Sequence, residues 1–179
     1  MSGNKKLSRT IWITGLSGAG KTTLGGAVVS LLRSKNLPVI FLDGDQLRDA
    51  LGFSLESNMH HSRDSRIILA MRYSRLCKII SEQKFTVVIA TISMFREVHD
   101  WNKANLKNYF EVFLKVPLKE LKRRDPKKIY HRYELGEIND VAGLDLIVDD
   151  PKTPDLLFDF NLDKKYTIEY MANKIIENL

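Results

Sequence analysis

The residues Gly15-Leu16-Ser17-Gly18-Ala19-Gly20-Lys21-Thr22 match the pattern G-x-x-x-x-G-K-[ST]. An apolar run of strand length, residues 10–14, stands directly before this motif, and a helical pattern begins near Gly20. Glycines in such a turn let the backbone N–H groups point at phosphate oxygens, and the start of the helix adds positive potential. A chance glycine-rich turn is the alternative, but chance does not explain both the spacing and the flanking strand and helix. The motif therefore predicts a phosphate-binding loop.

The side chains of this loop suit a nucleoside triphosphate with a bound metal ion. Lys21 is expected to bridge the β- and γ-phosphates of ATP, and Thr22 to bind Mg²⁺ through its hydroxyl. The loop residues predicted to bind ATP are Gly15, Ser17, Gly18, Ala19, Gly20, Lys21, Thr22 and Thr23.

Outside the loop, apolar runs of strand length alternate with amphipathic runs of helix length along the whole chain. This alternation predicts an α/β fold with a parallel sheet. The predicted strands are residues 10–14, 38–42, 85–90, 110–116 and, more weakly, 156–160. The longest predicted helix covers residues 63–82 and the last covers 167–178.

Length and composition favour a single domain, residues 1–179, that folds without disulfides. The hydrophobic fraction of 44% is near the average for globular proteins, and no apolar run approaches the roughly 18 residues of a membrane span. The polar, basic start of the chain does not resemble a signal peptide, so we expect a cytoplasmic protein. The net charge of +6 suits anionic ligands, among which nucleic acids have to be considered.

Two carboxylates follow the second predicted strand. Asp43 and Asp45 come at the carboxyl end of this strand, where parallel α/β sheets bind ligands. Beside ATP and Mg²⁺ a carboxylate can bind the metal or accept the proton of an attacking hydroxyl. We predict Asp45 to be the catalytic base and, with Thr22, a ligand of Mg²⁺. The alternative is an ordinary helix N-cap for a helix that Gln46 begins, which explains only one of the two carboxylates.

The third predicted strand is followed by a hydroxyl and a guanidinium group. Ser93 is suited to donate to a phosphate or sulfate oxygen, and Arg96 to pair with it bidentately. A serine before a helix is also a common cap. Nearby, His60 and His61 do not have metal-ligand spacing, so we predict no transition-metal site.

Residues 115–132 carry eight Lys or Arg against two acids, and Asp125-Pro126 must end the helix before it. A broken basic helix beside a nucleotide site is typical of a mobile lid, which we place at about residues 124–150. A nucleic-acid-binding surface is the alternative, but only Tyr130 and Tyr133 are available to stack on bases. A regulatory GTPase is disfavoured because the sequence has no Asn-Lys-x-Asp element for guanine.

The ordered set of motifs resembles the adenylylsulfate kinases, which phosphorylate the ribose 3′-hydroxyl of adenosine 5′-phosphosulfate. The resemblance spans nearly the whole chain. It rests on residues 15–23, 42–45 with Arg48, 51–54, 92–93 with Arg96, 110–113, 124–127 with Tyr130, and 136–138.

The resemblance implies a three-layer P-loop NTPase fold, nucleoside-kinase-like, with a parallel sheet and a basic lid at residues 124–132. It places Asp45 near the substrate hydroxyl, Phe53 against the substrate base, and Ser93 at the family's proposed phosphoserine position. Arg124 joins the residues expected to bind ATP. The residues expected to bind substrate are Asp43, Asp45, Arg48, Phe53, Arg63, Arg66, Ile92, Ser93, Arg96 and Lys127. A small nucleotide is the expected partner, with no nucleic acid or membrane, and the chain is expected to form a homodimer.

The sequence departs from the family pattern at two places in the substrate site. The stretch 62–68 retains Arg63 but lacks the family's Asn, and Val141 replaces a lid aromatic. An aromatic face contributes on the order of 1–3 kcal/mol of stacking to a bound base, so its loss favours a base other than adenine. The chain looks like a branch of the family that phosphorylates cytidine diphosphoramidate for capsule modification. Adenylylsulfate is the alternative acceptor.

Overall fold

The computed structural model describes residues 8–52, 62–162 and 166–179. Its sheet consists of parallel strands in the order β2-β3-β1-β4-β5. The strands are β1 (Thr10–Thr14), β2 (Val39–Asp43), β3 (Thr86–Ala90), β4 (Tyr109–Lys115) and β5 (Leu156–Asp159). Every predicted strand is confirmed, with ends that shift by one residue at most. For β2 the shift has a local cause, because Pro38 has no amide hydrogen to donate to the sheet.

Helices connect the strands and cover the sheet. They are α1 (Lys21–Ser34), α2 (Gly44–Ala50), α3 (Arg63–Glu82), α4 (Arg96–Asn105), α5 (Leu118–Arg124), α6 (Ile129–Glu134) and α7 (Ile168–Glu177), with a 3₁₀ turn at Phe160–Leu162. The predicted helix 63–82 is confirmed at both ends. Asp125 ends α5 in a left-handed conformation with φ 21°, so the break predicted at Asp125-Pro126 is also confirmed.

The alternation of side chains along β1 divides the core into two layers. Ile11 and Ile13 pack in one cluster with residues of α1 and α7. Trp12 packs on the other face with residues of α3 and α4. Because side chains of a strand alternate between faces, one buried strand supplies both layers. The result is the three-layer α/β arrangement that the sequence predicts.

The register of the sheet brings three strand ends to one edge. Ile13 pairs with Ala90, and Ala90 pairs with Asp43, so β1, β3 and β2 end side by side. The chain leaves this edge into the phosphate-loop motif, into α2 and into the segment after β3. Residues far apart in sequence therefore meet at the edge where parallel sheets bind ligands.

Within the described ranges, no helix combines the length and the apolar character needed to cross a membrane.

Candidate active site

The predicted phosphate loop has the backbone that its glycines allow. Gly15 has φ 148°, and a Cβ atom there would lie 2.6 Å from the carbonyl oxygen of Leu114. Gly20 has φ 94° and is the N-cap of α1. Side chains at these positions would be strained or would clash, so the glycines permit the tight turn. The turn leaves the N-terminus of the 14-residue helix α1 open toward the ligand side.

Lys21 is held inside this loop. Its Nζ donates a hydrogen bond to the carbonyl oxygen of Leu16 at 2.8 Å. Burial lowers the pKa of Lys21 to about 8, against the opposing effect of the nearby Asp45 and Asp43 carboxylates. The ammonium group is therefore charged at neutral pH but is poorly solvated, which favours an anionic partner.

Asp43 links the phosphate loop to α2. Its Oδ2 accepts a hydrogen bond from the Thr22 hydroxyl at 2.7 Å, and its Oδ1 accepts from the amide of Asp45 at 3.0 Å. Asp43 is thus the N-cap of α2, which begins at Gly44. The N-cap of this helix is therefore two residues earlier than Asp45, the position that the sequence alternative gives for it.

The pair of Thr22 and Asp43 fits the chemistry of Mg²⁺. This ion prefers oxygen ligands and is usually held by one or two carboxylates together with substrate phosphates. A hydroxyl and a carboxylate already in contact at the end of the phosphate loop supply such oxygens. In the part of the chain that the structure describes, no cluster of three or more His, Cys, Asp or Glu forms a self-sufficient metal site. A metal here would depend on the phosphates of the nucleotide.

The Asp45 carboxylate lies between two cations. Its Oδ1 is 3.3 Å from Arg48, and its Oδ2 pairs with Lys127 of the lid. Burial would raise the pKa of the Asp45 carboxyl, but the hydrogen bond and charge of Lys127, with the charge of Arg48, bring it below its ordinary value. Asp45 is therefore ionised at neutral pH, as a proton acceptor must be.

The lid contacts the phosphate loop through α6 and the segment after it. The Tyr130 hydroxyl donates to the carbonyl oxygen of Ser17 at 3.0 Å, and Tyr130 is buried. Leu16 packs so closely on Gly143 that a Cβ atom there would lie 2.7 Å from Leu16 Cδ1. Arg124 pairs with Glu120 at 2.7 Å. The basic segment predicted as a lid thus lies over the phosphate loop.

A cavity of about 980 Å³ lies between the lid and the sheet edge. Such a volume is at the upper end for ligand sites. The predicted site residues that line it are Ser17, Gly18, Gly20, Lys21, Thr22, Thr23, Asp43, Asp45, Arg48, Arg66, Ile92, Arg124 and Lys127. Gly15 and Ala19 shape the loop without lining the cavity. Phe53, like His60 and His61, lies outside the described residues.

Arg63 and the backbone of Arg96, two residues predicted to bind substrate, contact the end of the lid in this structure. Arg63 pairs with Asp149 at 2.9 Å and with Glu97 at 3.2 Å. The backbone amide of Arg96 donates to the same Asp149 carboxylate at 3.0 Å. Neither arginine is among the residues that line the cavity. In this structure both fix the far end of the lid against the segment after β3.

Ser93 is also set back from the cavity. It is 7% exposed, and its hydroxyl is 2.8 Å from that of Thr91. Its neighbours Thr91 and Ile92 line the cavity, whereas Ser93 does not. The hydrogen-bond partner of the Ser93 hydroxyl in this arrangement is thus another hydroxyl group, that of Thr91.

Nine further residues of the cavity lining belong to the lid and are not among the predicted site residues. They are Pro126, Ile129, Arg132, Glu137, Ile138, Asn139, Asp140, Val141 and Ala142. Arg132 could have been predicted to line the site, because it belongs to the basic run at residues 115–132. Pro126 lies between α5 and α6. The other residues lie in α6 or in the irregular segment after it, where no periodic pattern marks the side that faces a ligand.

Arg66 of α3 reaches the lid at the cavity wall. Its Nη2 donates to the carbonyl oxygen of Asp140 at 2.7 Å. The backbone around this carbonyl is fixed, because the Asp145 carboxylate accepts from the amide of Asp140 at 2.9 Å and from that of Val141 at 2.7 Å. Val141 is only 6% exposed. The lid therefore presents a firmly held polar turn and an aliphatic side chain to the cavity.

Comparisons with known proteins place the chain in one family. The family model described as adenylylsulphate kinase matches residues 7–159. A cytidine diphosphoramidate kinase from Campylobacter jejuni is 39% identical over 142 residues, which are 79% of this chain and 81% of that protein. An adenylyl-sulfate kinase from Gloeothece citriformis is 33% identical over 179 residues, covering 98% of this chain and 96% of the relative.

A solved structure agrees with the sequence relatives. The APS kinase of Mycobacterium tuberculosis, determined in complex with AMPPNP and APS, superimposes with a TM-score of 0.81 at 31% identity, covering 96% of both chains. The fold and the sequence relatives thus indicate the same family. The chain belongs to the adenylylsulphate kinase family and is a phosphotransferase that uses a hydroxyl group as acceptor.

Proposed function

We propose that this protein transfers the γ-phosphate of ATP to the ribose 3′-hydroxyl of cytidine diphosphoramidate. The observation that carries the reaction is the placement of an ionised Asp45 in the same cavity as the phosphate loop and the basic lid. The acceptor is supported by the 39% identity to the cytidine diphosphoramidate kinase of Campylobacter jejuni. The aliphatic Val141 in the cavity wall also suits a base that is not held between two aromatic faces.

In the proposed mechanism the phosphate loop binds the triphosphate through its backbone amides and Lys21. Mg²⁺, held by Thr22 and Asp43 with phosphate oxygens, would neutralise charge on the phosphates. Asp45 accepts the proton of the ribose hydroxyl as that oxygen attacks the γ-phosphorus in line. Because Lys127 pairs with Asp45 in the structure, the hydroxyl must replace Lys127 at this carboxylate. Lys127 is then free to contact the transferring phosphoryl group together with Arg124.

A substrate panel tests the proposal. The purified chain with MgATP is offered cytidine diphosphoramidate, adenylylsulfate, CMP, CDP and AMP, and ADP release is followed. We expect the highest kcat/KM for cytidine diphosphoramidate. Release of ADP with none of these acceptors would overturn the proposed function.

Adenylylsulfate is the second candidate acceptor. It is favoured by the adenylyl-sulfate kinase relatives and by the likeness to a structure that contains APS. A kcat/KM for adenylylsulfate above that for cytidine diphosphoramidate in the same panel would establish it instead.

We further propose a homodimer in the cytoplasm, on the strength of the family resemblance. Sedimentation velocity of the purified chain tests the dimer, and a single species at the monomer mass would exclude it.

A further inference from the structure

We infer that Arg66 and Asp140 together read the hydrogen-bonding edge of a cytosine base in the acceptor nucleotide. This inference rests on the proposed function, since it assigns residues to the base of the proposed substrate. It concerns the lid end of the cavity, away from the chemistry at Asp45.

The two residues are joined and held in place. The guanidinium of Arg66 donates to the carbonyl oxygen of Asp140 at 2.7 Å, and both residues line the cavity. Asp140 adopts φ 58°, and the Asp145 carboxylate accepts hydrogen bonds from its amide and that of the next residue. The Arg66 guanidinium and the backbone of Asp140 are thus held together at the wall, and the Asp140 carboxylate is close enough to act on the guanidinium.

Cytosine matches this pair of residues better than uracil or adenine does. A guanidinium only donates hydrogen bonds and an ionised carboxylate only accepts them. Cytosine offers its N4 amino group as donor beside N3 and O2 as acceptors, so Asp140 can accept from N4 while Arg66 donates to N3 and O2. Uracil has an acceptor at position 4 and a donor at N3, which opposes both residues. Adenine offers Arg66 one acceptor, N1, in place of two.

The competing role for Arg66 is to bind phosphate of the acceptor. Arg48 is close enough to act on Arg66, and two neighbouring guanidinium groups are a familiar anion site. However, the charges of Asp140 and Asp145 also act on Arg66. The negative charges of these two carboxylates oppose a phosphate at Arg66, and the Asp140 carboxylate can accept a hydrogen bond from the amino group of a neutral base. The local charge therefore favours a base at Arg66 and leaves Arg48, beside Asp45, for the anionic part.

The test is equilibrium binding of CMP, UMP and AMP to the full chain. The variants are Asp140→Asn and Arg66→Gln, with Arg72→Gln, an exposed position on the same helix, as control. Asparagine tolerates the left-handed backbone of Asp140, so Asp140→Asn retains the turn. We expect the wild type and the control to prefer CMP over UMP by about 10-fold or more, and both site variants to lose most of this preference.

Three results would overturn the inference: no preference among the nucleotides in the wild type, an unchanged preference in both variants, or an equal loss of affinity for all three nucleotides. The last is the signature of a phosphate anchor or of a disturbed lid. The outcome is separate from that of the proposed function. If binding shows a cytosine preference that depends on these residues, the inference stands even if the substrate panel gives no turnover. If the panel gives turnover but both variants keep the wild-type preference, only the role of Arg66 and Asp140 in binding the base is rejected.

Discussion

Lys21 gives the site a pH dependence that is measurable on ATP binding. Its pKa is lowered to about 8, first of all by burial. Only the protonated form is expected to bind the triphosphate, so binding above pH 8 must include proton uptake. We predict that ATP affinity falls by only about twofold from pH 7 to 8 and then by up to about 10-fold per pH unit. Titration calorimetry between pH 7 and 9.5 measures this decline.

The control for this prediction is Lys21→Arg, because arginine stays charged throughout the range. Any residual ATP affinity of this variant should not change with pH. Phosphate ionises near pH 6, below the window, and does not contribute. A flat wild-type profile up to pH 9.5 would show that Lys21 does not titrate as described.

Asp45 is predicted to matter for turnover and not for ATP affinity. Asp45→Asn removes the proton acceptor and should lower kcat by about 100-fold or more, while the dissociation constant of ATP changes by less than about threefold. ADP release and ATP binding measure the two quantities. Asp49→Asn, an exposed position on the same helix, is the matched control. If Asp45→Asn kept more than about a tenth of the wild-type kcat, the role of Asp45 as base would be rejected.

A substitution at Ser93 distinguishes direct transfer from a route through a phosphoserine intermediate. We favour direct transfer, because positioning and electrostatic stabilisation suffice for phosphoryl transfer. Ser93→Ala should then retain turnover within about threefold of the wild type, since Ser93 is buried against Thr91 and does not line the cavity. Loss of activity together with phosphate on Ser93 of the wild type, detected by mass spectrometry, would support the covalent route.

At the scale of single residues the sequence was most informative for the phosphate loop, where spacing alone specifies the geometry. It was less informative for α2, because helix starts cannot be read to the residue from a pattern. Asp43 therefore took the capping role considered for Asp45. For Arg63 the partner Asp149 lies 86 positions away. No local pattern reveals a contact of that separation.

The lid segment after α6 depends on one exposed carboxylate. Asp145 accepts from two successive backbone amides and so fixes the turn at Asp140 and Val141. Asp145→Ala should loosen this turn and raise KM for the acceptor by about 3- to 10-fold, with little effect on ATP affinity or the melting temperature. Steady-state kinetics with each substrate varied in turn measures the effect.

Asp150→Ala serves as the control for the lid turn, because Asp150 is an exposed acid of the same segment that pairs with Lys115. It should leave KM for the acceptor unchanged. Equal effects of Asp145→Ala and Asp150→Ala, or a rise in KM for ATP alone, would contradict the role given to Asp145.

At the scale of elements, the strands and the long helix were predictable because each has a clear apolar period. The lid was predictable in position from its basic run and from Asp125-Pro126. Its second half was not, because residues 135–155 form no helix or strand with a period to read. Their conformation rests on side-chain hydrogen bonds such as those of Asp145 and on the anchor at Asp149.

The whole molecule contains a buried polar network on the α4 side of the sheet. Glu111 is fully buried, its Oε1 lies 2.6 Å from His99 Nδ1, and it accepts from the Tyr109 hydroxyl at 2.8 Å. Burial would raise the pKa of Glu111, but the hydrogen bond and charge of His99 and the hydrogen bond of Tyr109 bring it below its ordinary value. Such a network within an apolar strand was not predictable, because His99 comes from a different element, α4.

Glu111→Gln should therefore lower the free energy of unfolding at pH 7 by about 1–3 kcal/mol. A carboxylate with a lowered folded-state pKa stabilises the fold above its unfolded pKa of about 4.3, and this stabilisation disappears as pH falls through the lower, folded value. The difference between wild type and variant should thus be constant above about pH 5 and shrink below about pH 4. Urea unfolding across this range measures the difference.

Glu169→Gln, at an exposed site on α7, is the control and should change the unfolding free energy by less than about 0.5 kcal/mol. Equal unfolding midpoints for the wild type and Glu111→Gln at pH 7 would show that the buried network contributes nothing to stability.

The most direct test of the proposed reaction is to locate the transferred phosphate. Cytidine diphosphoramidate is incubated with the chain and MgATP, and the product is examined by ³¹P NMR with proton coupling. We predict a new phosphomonoester resonance coupled to the ribose H3′, formed in step with ADP, and formed about 100-fold more slowly or not at all with Asp45→Asn. A phosphate on the 2′-oxygen or on the diphosphate end, or ADP formed without any phosphorylated nucleotide, would contradict the account.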